Sequence, residues 1–318
     1  MWEQFPNLYN NLLEVEYCIK KNIVSRNELL TQAAMETVCA GGKRLRPAFV
    51  ILAASLGRFD KKKVIPVASA VEVLHTATLI HDDVLDDSLF RRGKETIYKK
   101  YGTDMSIYCG DYLYTRAVTM LSNTLSNKKL GIAAKAINTI CEGEVDQFRD
   151  KYKLTLSVPN YLKRISRKTA ILFAASCALG AACSKCDEAL SKTLTKIGFY
   201  YGMIFQLVDD AKDYLCDDKE WGKPIKNDLS KGIITLPAIY ACKNNQYVAL
   251  HLKQLTENKS ISPENLSTLV NEILESGGID YTRALIRKYN DRAQLYISML
   301  PNCEAKNIFT VLLLNLQI

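Results

Sequence analysis

Twice in this chain an apolar run of helical period ends in a cluster of aspartates. Residues 67–74 lead to Asp82-Asp83-Val84-Leu85-Asp86, and residues 201–208 lead to Asp209-Asp210-Ala211-Lys212-Asp213. Carboxylates at i and i+4 share one face of an α-helix. Like charges clustered on an apolar helix repel one another and are costly to desolvate, so each cluster calls for an offsetting cation. Oxygen ligands without a His or Cys cluster select a hard ion, and Mg²⁺ is held by a few carboxylates together with substrate phosphates. A solvated acidic helix end is the alternative for either cluster alone. Two copies on apolar helices count against it. Neither cluster has the alternating ligands and closing Glu of a calcium loop. The two are read as facing halves of one site rather than as a repeat array.

The rest of the pattern is helical. Leu8, Leu12, Val15 and Ile19 step by four, three and four, and Val64, Val67, Ala68, Val71, Leu74 and Thr78 continue the pattern. Leu162, Ile165, Thr169, Leu172 and Phe173 repeat it. Pro47, Pro66, Pro159, Pro237, Pro263 and Pro301 each open or precede an apolar run. Strand alternation is absent. Residues 232–235 are β-branched but short, and are read as the lead-in to a helix near Pro237. Polar connectors are expected over residues 58–63, 88–96, 153–158, 217–231 and 257–262. The apolar fraction is 48% and no Pro/Gly/Ser-rich linker interrupts the chain, so one all-α domain over residues 1–318 is expected.

Several classes are disfavoured. The N-terminus lacks a charged segment followed by an apolar one, so no signal peptide is expected. The apolar stretches 170–183 and 308–314 fall short of the ~20 residues that cross a bilayer. A cytoplasmic protein is expected. The 10 cysteines are scattered, and the isolated Cys183–Cys186 pair has no nearby His among the 3 in the chain, which argues against a metal or redox role. The net charge of +8 is not gathered into an aromatic-interleaved stripe, so nucleic-acid binding is not expected. Peripheral attraction to an anionic membrane surface is compatible with it.

Further motifs surround the two clusters. Gly41-Gly42-Lys43-Arg44-Leu45-Arg46-Pro47 lies upstream, and Glu72-Val73-Leu74-His75 leads into the first cluster. Arg91-Arg92-Gly93-Lys94-Glu95-Thr96 follows it, and Arg167-Lys168-Thr169-Ala170 and Phe205-Gln206 precede the second. Gly222-Lys223-Pro224, Asp228-Leu229 and Thr235-Leu236-Pro237 come after. In this order and spacing the set resembles the trans-polyprenyl diphosphate synthase family. Asp150-Lys151-Tyr152 and the run from Arg164 to Cys177 make it most similar, within that family, to the catalytic component of heptaprenyl-type synthases.

The resemblance implies an all-α, isoprenoid-synthase-type helical bundle, usually dimeric, around a deep central cavity. It implies condensation of an allylic prenyl diphosphate with isopentenyl diphosphate, assisted by Mg²⁺, three ions being expected with substrate bound. Asp82, Asp86 and Asp209 are the implied direct ligands, and Asp83, Asp210 and Asp213 complete the metal set. Lys43, Arg46, His75 and Arg92 are the implied isopentenyl diphosphate ligands. Arg91, Lys168 and Lys223 are those of the allylic diphosphate, with Thr169 and Gln206 facing the developing cation. The chemistry agrees, since Arg offers bidentate donors to phosphate and Lys a point charge.

One departure is Ile233, where many relatives carry Lys. Ala77 and Thr78 are small where short-chain relatives place an aromatic floor, and Leu74 lies a turn further along, so a product longer than farnesyl diphosphate is expected. A geranylgeranyl-type synthase, a class I cyclase, a non-catalytic regulatory subunit and a catalytic chain that needs a different second subunit are the competing readings. The intact aspartate motifs disfavour the cyclase and the regulatory subunit.

Overall fold

The computed structural model describes residues 1–154, 157–215 and 227–318. Its elements begin with helices α1 (Pro6–Asn22), α2 (Glu28–Cys39), α3 (Leu45–Ala54) and α4 (Lys61–Leu85). Strands β1 (Phe90–Arg91) and β2 (Lys94–Glu95) precede α5 (Ile97–Thr124), α6 (Asn127–Asp150) and α7 (Val158–Ile165). A π-helical turn, Ser166–Ala170, joins α7 to α8 (Ile171–Cys183), and α9 (Glu188–Leu215) follows. Helical segments Asn227–Ser230, Leu236–Asn244, Gln246–Asn258, Pro263–Glu275, Gly278–Ser298 and Glu304–Leu314 complete the chain. The chain divides into two compact units, Met1–Ala134 with Ala175–Thr195, and Lys135–Ala174 with Lys196–Ile318.

In the first unit the predicted stripe of α1 is real, for Leu8, Leu12, Val15 and Ile19 are all buried. The Asp60 side chain accepts from Lys62 N at 3.1 Å and caps α4. That cap, rather than Pro66, fixes where α4 begins. Pro66 lies inside the helix, which corrects the reading of it as a starter and shortens the expected connector over 58–63. At the other end Asp86 is already the capping residue, and Asp87 follows with φ +48.

The expected connector 88–96 contains a hairpin, the one departure from an all-helical pattern among the described residues. Phe90 pairs with Glu95 and Arg91 with Lys94. Arg92 and Gly93 both have positive φ, as a tight two-residue hairpin turn requires. Strands of two residues are too short to leave an alternating signature.

Backbones approach closely where glycine permits. A Cβ on Gly180 of α8 would lie 2.2 Å from the Val50 carbonyl oxygen of α3. Backbone cannot step aside as a flexible side chain can. Gly180→Ala is therefore expected to cost about 1–3 kcal/mol through overpacking, read as a lowered thermal midpoint with unchanged helical circular dichroism.

In the second unit Ser157 caps α7 and accepts from Asn160 N, and Pro159 sits in the first turn. Pro237 and Pro263 also occupy first turns, as predicted. Cβ atoms on Gly198 and Gly202 would fall 2.4 Å from the Phe173 oxygen and 2.5 Å from the Ala170 Cα, so α9 lies against the π-helical turn and the start of α8. Phe173 meets Tyr201 and Phe205 with ring centroids 5.1 and 5.6 Å apart.

The helical stretches Lys61–Leu85 and Val158–Cys183 are long and apolar enough to cross a bilayer, which the sequence pattern did not indicate. The windows concerned are 72% and 67% buried within the protein, as core helices are.

Candidate active site

The first unit holds a cavity of about 350 Å³. His75, Thr76, Leu79 and Ile80 of α4 form one wall, with Glu72 and Asp83 at either end of that stretch. Arg91 and Arg92 from the hairpin, Arg44 before α3, and Lys100 of α5 bring positive charge to it. Residues three and four apart on a helix share a face, which is why Glu72, His75, Thr76, Leu79 and Asp83 line one cavity.

The hairpin's position is set by polar contacts. The Arg91 Nε donates to Asp83 at 2.8 Å. Arg92 donates to the Gly41 carbonyl, and Lys94 reaches the Cys39 carbonyl at 3.5 Å. Glu36 accepts from Lys100 at 2.9 Å and from the Tyr101 hydroxyl at 3.3 Å. Burial holds the His75 imidazole well below its ordinary pKa, and the nearby charges of Arg46, Arg92, Arg91 and Arg44 push the same way. At neutral pH the ring is uncharged and can donate one hydrogen bond.

The predicted isopentenyl diphosphate set is thus partly assembled. His75 and Arg92 line the cavity, and Arg46 lies close enough to act on His75. Lys43 is exposed and outside the lining residues; its carbonyl accepts from Trp2 Nε1 at 2.7 Å.

The first aspartate motif divides by environment. Asp83 is buried and bound to Arg91, and burial raises its pKa against the pull of that guanidinium. Asp82 and Asp86 are half-buried. Asp87 is exposed and accepts from the Tyr98 hydroxyl at 2.8 Å, in keeping with a role outside the motif. Below the motif on α4, Ala77 and Leu74 are buried, and the half-buried Thr78 donates to the His75 carbonyl at 2.8 Å.

In the second unit a chain of short hydrogen bonds runs through the predicted residues. Thr169 donates to Gln206 Oε1 at 2.7 Å, Gln206 donates to Asp210 Oδ1 at 2.6 Å, and the Tyr161 hydroxyl donates to Asp210 Oδ2 at 2.6 Å. Asp210 is buried, and its pKa is pushed up to about 7 by burial and by the charge of Asp228, with Asp209 adding to it. Asp209 and Asp213 are half-buried. Lys168 pairs with Glu144 at 2.8 Å, and Arg167 with Asp146 at 2.8 Å. The π-helical turn inserts one extra residue per turn, which re-aims these side chains relative to a regular helix. Lys223 lies outside the described residues. Ile233 is buried, next to Gly232, which has φ +72 and whose lack of a Cβ leaves room for the Tyr152 ring.

These residues suit Mg²⁺. The donors are hard oxygens, and a divalent cation would relieve the repulsion from Asp228 and Asp209 that adds to burial in raising Asp210. Among the described residues no three metal-binding side chains converge into a ready-made cage. Mg²⁺ bound through one or two carboxylates and substrate phosphates does not require one.

The sequence profile of the Polyprenyl synthetase family matches residues 27–273. The chain belongs to that family. It is 37% identical over 293 residues to heptaprenyl diphosphate synthase component 2 of Bacillus subtilis, covering 92% of this chain and 83% of that protein. Its fold superposes with a TM-score of 0.93 on the crystal structure of heptaprenyl diphosphate synthase from Staphylococcus aureus, at 36% identity over 97% of both chains. It is also similar, with a TM-score of 0.92 and 34% identity over 96% of this chain and 93% of the other, to a polyprenyl synthase from Caulobacter crescentus solved with calcium and isoprenyl diphosphate. The all-α isoprenoid-synthase fold expected from the sequence is the fold of these synthases. The chain is accordingly an enzyme of the prenyl-transferring class.

Arg44, Glu72, Lys100 and Glu144 escaped the sequence reading of the site. Arg44 and Glu72 lie inside motifs that were read for their neighbours. Nothing local marks Lys100 or Glu144, because only the tertiary fold gives them their partners.

Proposed function

We propose that the protein condenses an allylic prenyl diphosphate with isopentenyl diphosphate to make a long-chain all-trans polyprenyl diphosphate, a precursor of a quinone side chain. The observation that carries this reading is the cavity beside the first aspartate motif, which His75 and Arg92 both line. Such a lining suits a diphosphate, for Arg supplies planar donors and a neutral imidazole one more.

Bound Mg²⁺ would neutralise the leaving diphosphate and so promote ionisation of the allylic C–O bond. Asp82, Asp86 and Asp209 would hold the ions directly. Asp83 and Asp210, tied to protein donors, would steady the others. Asp213 is the remaining candidate ligand. Arg91, Lys168 and Lys223 would bind the allylic diphosphate. Arg46, His75, Arg92 and Lys43 would hold isopentenyl diphosphate. The Thr169 hydroxyl proton is committed to Gln206, so the Thr169 oxygen can offer lone pairs to a carbocation without a nucleophile's reach. The departing diphosphate would take the proton lost after the new C–C bond forms.

The small Ala77 and Thr78 support a long product. The likeness to a protein named component 2 supports a second, different subunit as an alternative to the homodimer expected from the family resemblance. A single catalytic domain, a cytoplasmic setting, peripheral membrane contact and three bound Mg²⁺ ions belong to the same reading.

The site map is tested by titrating each substrate separately. Lys43→Ala and Arg92→Ala are expected to weaken isopentenyl diphosphate, and Arg91→Ala and Lys168→Ala the allylic substrate. Loss of one charged phosphate contact costs about 1.5–3 kcal/mol, roughly a 10- to 150-fold rise in KM. An Arg92 variant that lost affinity for the allylic substrate alone would reverse the map.

A further inference from the structure

Arg44 caps α3 between Lys43, at the end of the preceding loop, and Arg46, in the first turn of the helix, yet no step of the proposed chemistry uses it. Its backbone is left-handed, with φ +49, which is uncommon for a residue other than glycine and persists where the surroundings over-determine it. Its side chain is only 11% exposed and points in three directions at once. The Nε donates to Glu16 of α1, Nη1 to Glu72 of α4 at 2.9 Å, and Nη2 to the Val38 carbonyl of α2 at 2.7 Å. One guanidinium thus ties three helices to the loop.

Glu72 gives the arrangement its meaning. It is buried, it lines the cavity, and it lies one turn before His75 on α4. Unpaired, this carboxylate would compete with a diphosphate for Arg92, on which its charge acts, and would repel the diphosphate itself. Arg44 cancels that charge. It also fixes the loop whose Gly41 carbonyl receives Arg92.

We propose that Arg44, acting through Glu72 and Glu16, is a positioning residue for isopentenyl diphosphate. It orients the loop of residues 41–44 and the first turn of α3 that carries Arg46, and it neutralises the acid in the cavity wall. This inference rests on the reading of the cavity as the isopentenyl diphosphate site.

The test is steady-state kinetics on Arg44→Met, Arg44→Lys and the double variant Arg44→Met/Glu72→Met, with folding followed by circular dichroism. Arg44→Met is expected to raise the KM for isopentenyl diphosphate by about tenfold or more, the scale of a lost charged contact, while the KM for the allylic substrate stays within about twofold. Removing Glu72 as well should recover much of the loss, because the stranded carboxylate is then gone. A purely structural role predicts the opposite, a double variant no better than the single one. Arg44→Lys, which keeps the charge but not the three-way fork, should give an intermediate KM.

A folded Arg44→Met with unchanged KM, or a folded double variant without recovery, would overturn the proposal. Should Arg44→Met not fold, Arg44→Lys decides, and a wild-type KM there would overturn it. Lys43→Ala and Arg92→Ala separate the two levels. If both leave the KM for isopentenyl diphosphate unchanged, the reading of the cavity fails. If they raise it and the Arg44 variants do not, only the positioning role fails.

Discussion

Asp82→Ala and Asp209→Ala are each expected to abolish turnover while leaving the helical content intact. Both side chains are half-buried, so neither removal opens a hole in a packed core. On the proposed function, each would take away an oxygen ligand of the Mg²⁺ that neutralises a leaving diphosphate. Losses of preorganised charge stabilisation of this kind reach about three decades in rate, on the order of 4 kcal/mol. Asp87→Ala is the built-in control. That residue is exposed and outside the motif, so turnover should persist, although Ala at its positive φ and the lost Tyr98 hydrogen bond will lower stability somewhat. Rates measured at saturating substrate over a range of Mg²⁺ concentrations check the pair. Near-wild-type turnover in either Asp variant would remove the metal role.

Ala77→Phe is expected to replace the long product by farnesyl- or geranylgeranyl-length material. Position 77 precedes Asp82 by five residues, one to two turns along α4 from the metal motif, and a turn rises ~5.4 Å, comparable to an extended isoprene unit. A ring there would block late condensations and spare early ones, so activity on a short allylic primer should persist. Ala77 is 1% exposed, and the added ring must also find room. Overpacking alone would cost about 1–3 kcal/mol and lower the thermal midpoint without altering the product. Product chromatography beside a thermal melt separates the two. An unchanged product distribution from a folded, active variant would mean that this face of α4 does not line the growing chain.

Much of this was legible in the residues themselves. Helical period is dense information, and the stripe from Leu8 to Ile19 folded as written because four apolar residues on one face have one way to be buried. The aspartates of α4 announced themselves by their cost on an apolar helix. Other features carry no such local signal. Phe90–Arg91 and Lys94–Glu95 form strands of two residues, shorter than the period by which a strand is recognised. Pro66 reads as a helix start by statistics, but the Asp60 side chain, bonded to Lys62 N, sets the start instead. The π-helical turn at Ser166–Ala170 packs closely against Gly202, 32 positions beyond Ala170, and the pairing of Lys168 with Glu144 spans 24 positions of sequence. In the same way, Arg44 sits in plain view in a motif, while its partners Glu16 and Glu72 are each 28 positions away.

Mg²⁺-dependent condensation is measured as product formation by the purified protein supplied with isopentenyl diphosphate and farnesyl diphosphate. With Mg²⁺ present, release of diphosphate should accompany a polyprenyl diphosphate longer than the geranylgeranyl compound, and chelation of the metal should stop both. A folded protein that consumes neither substrate at any Mg²⁺ concentration, or that elongates equally well after chelation, would rule out Mg²⁺-dependent condensation by this chain.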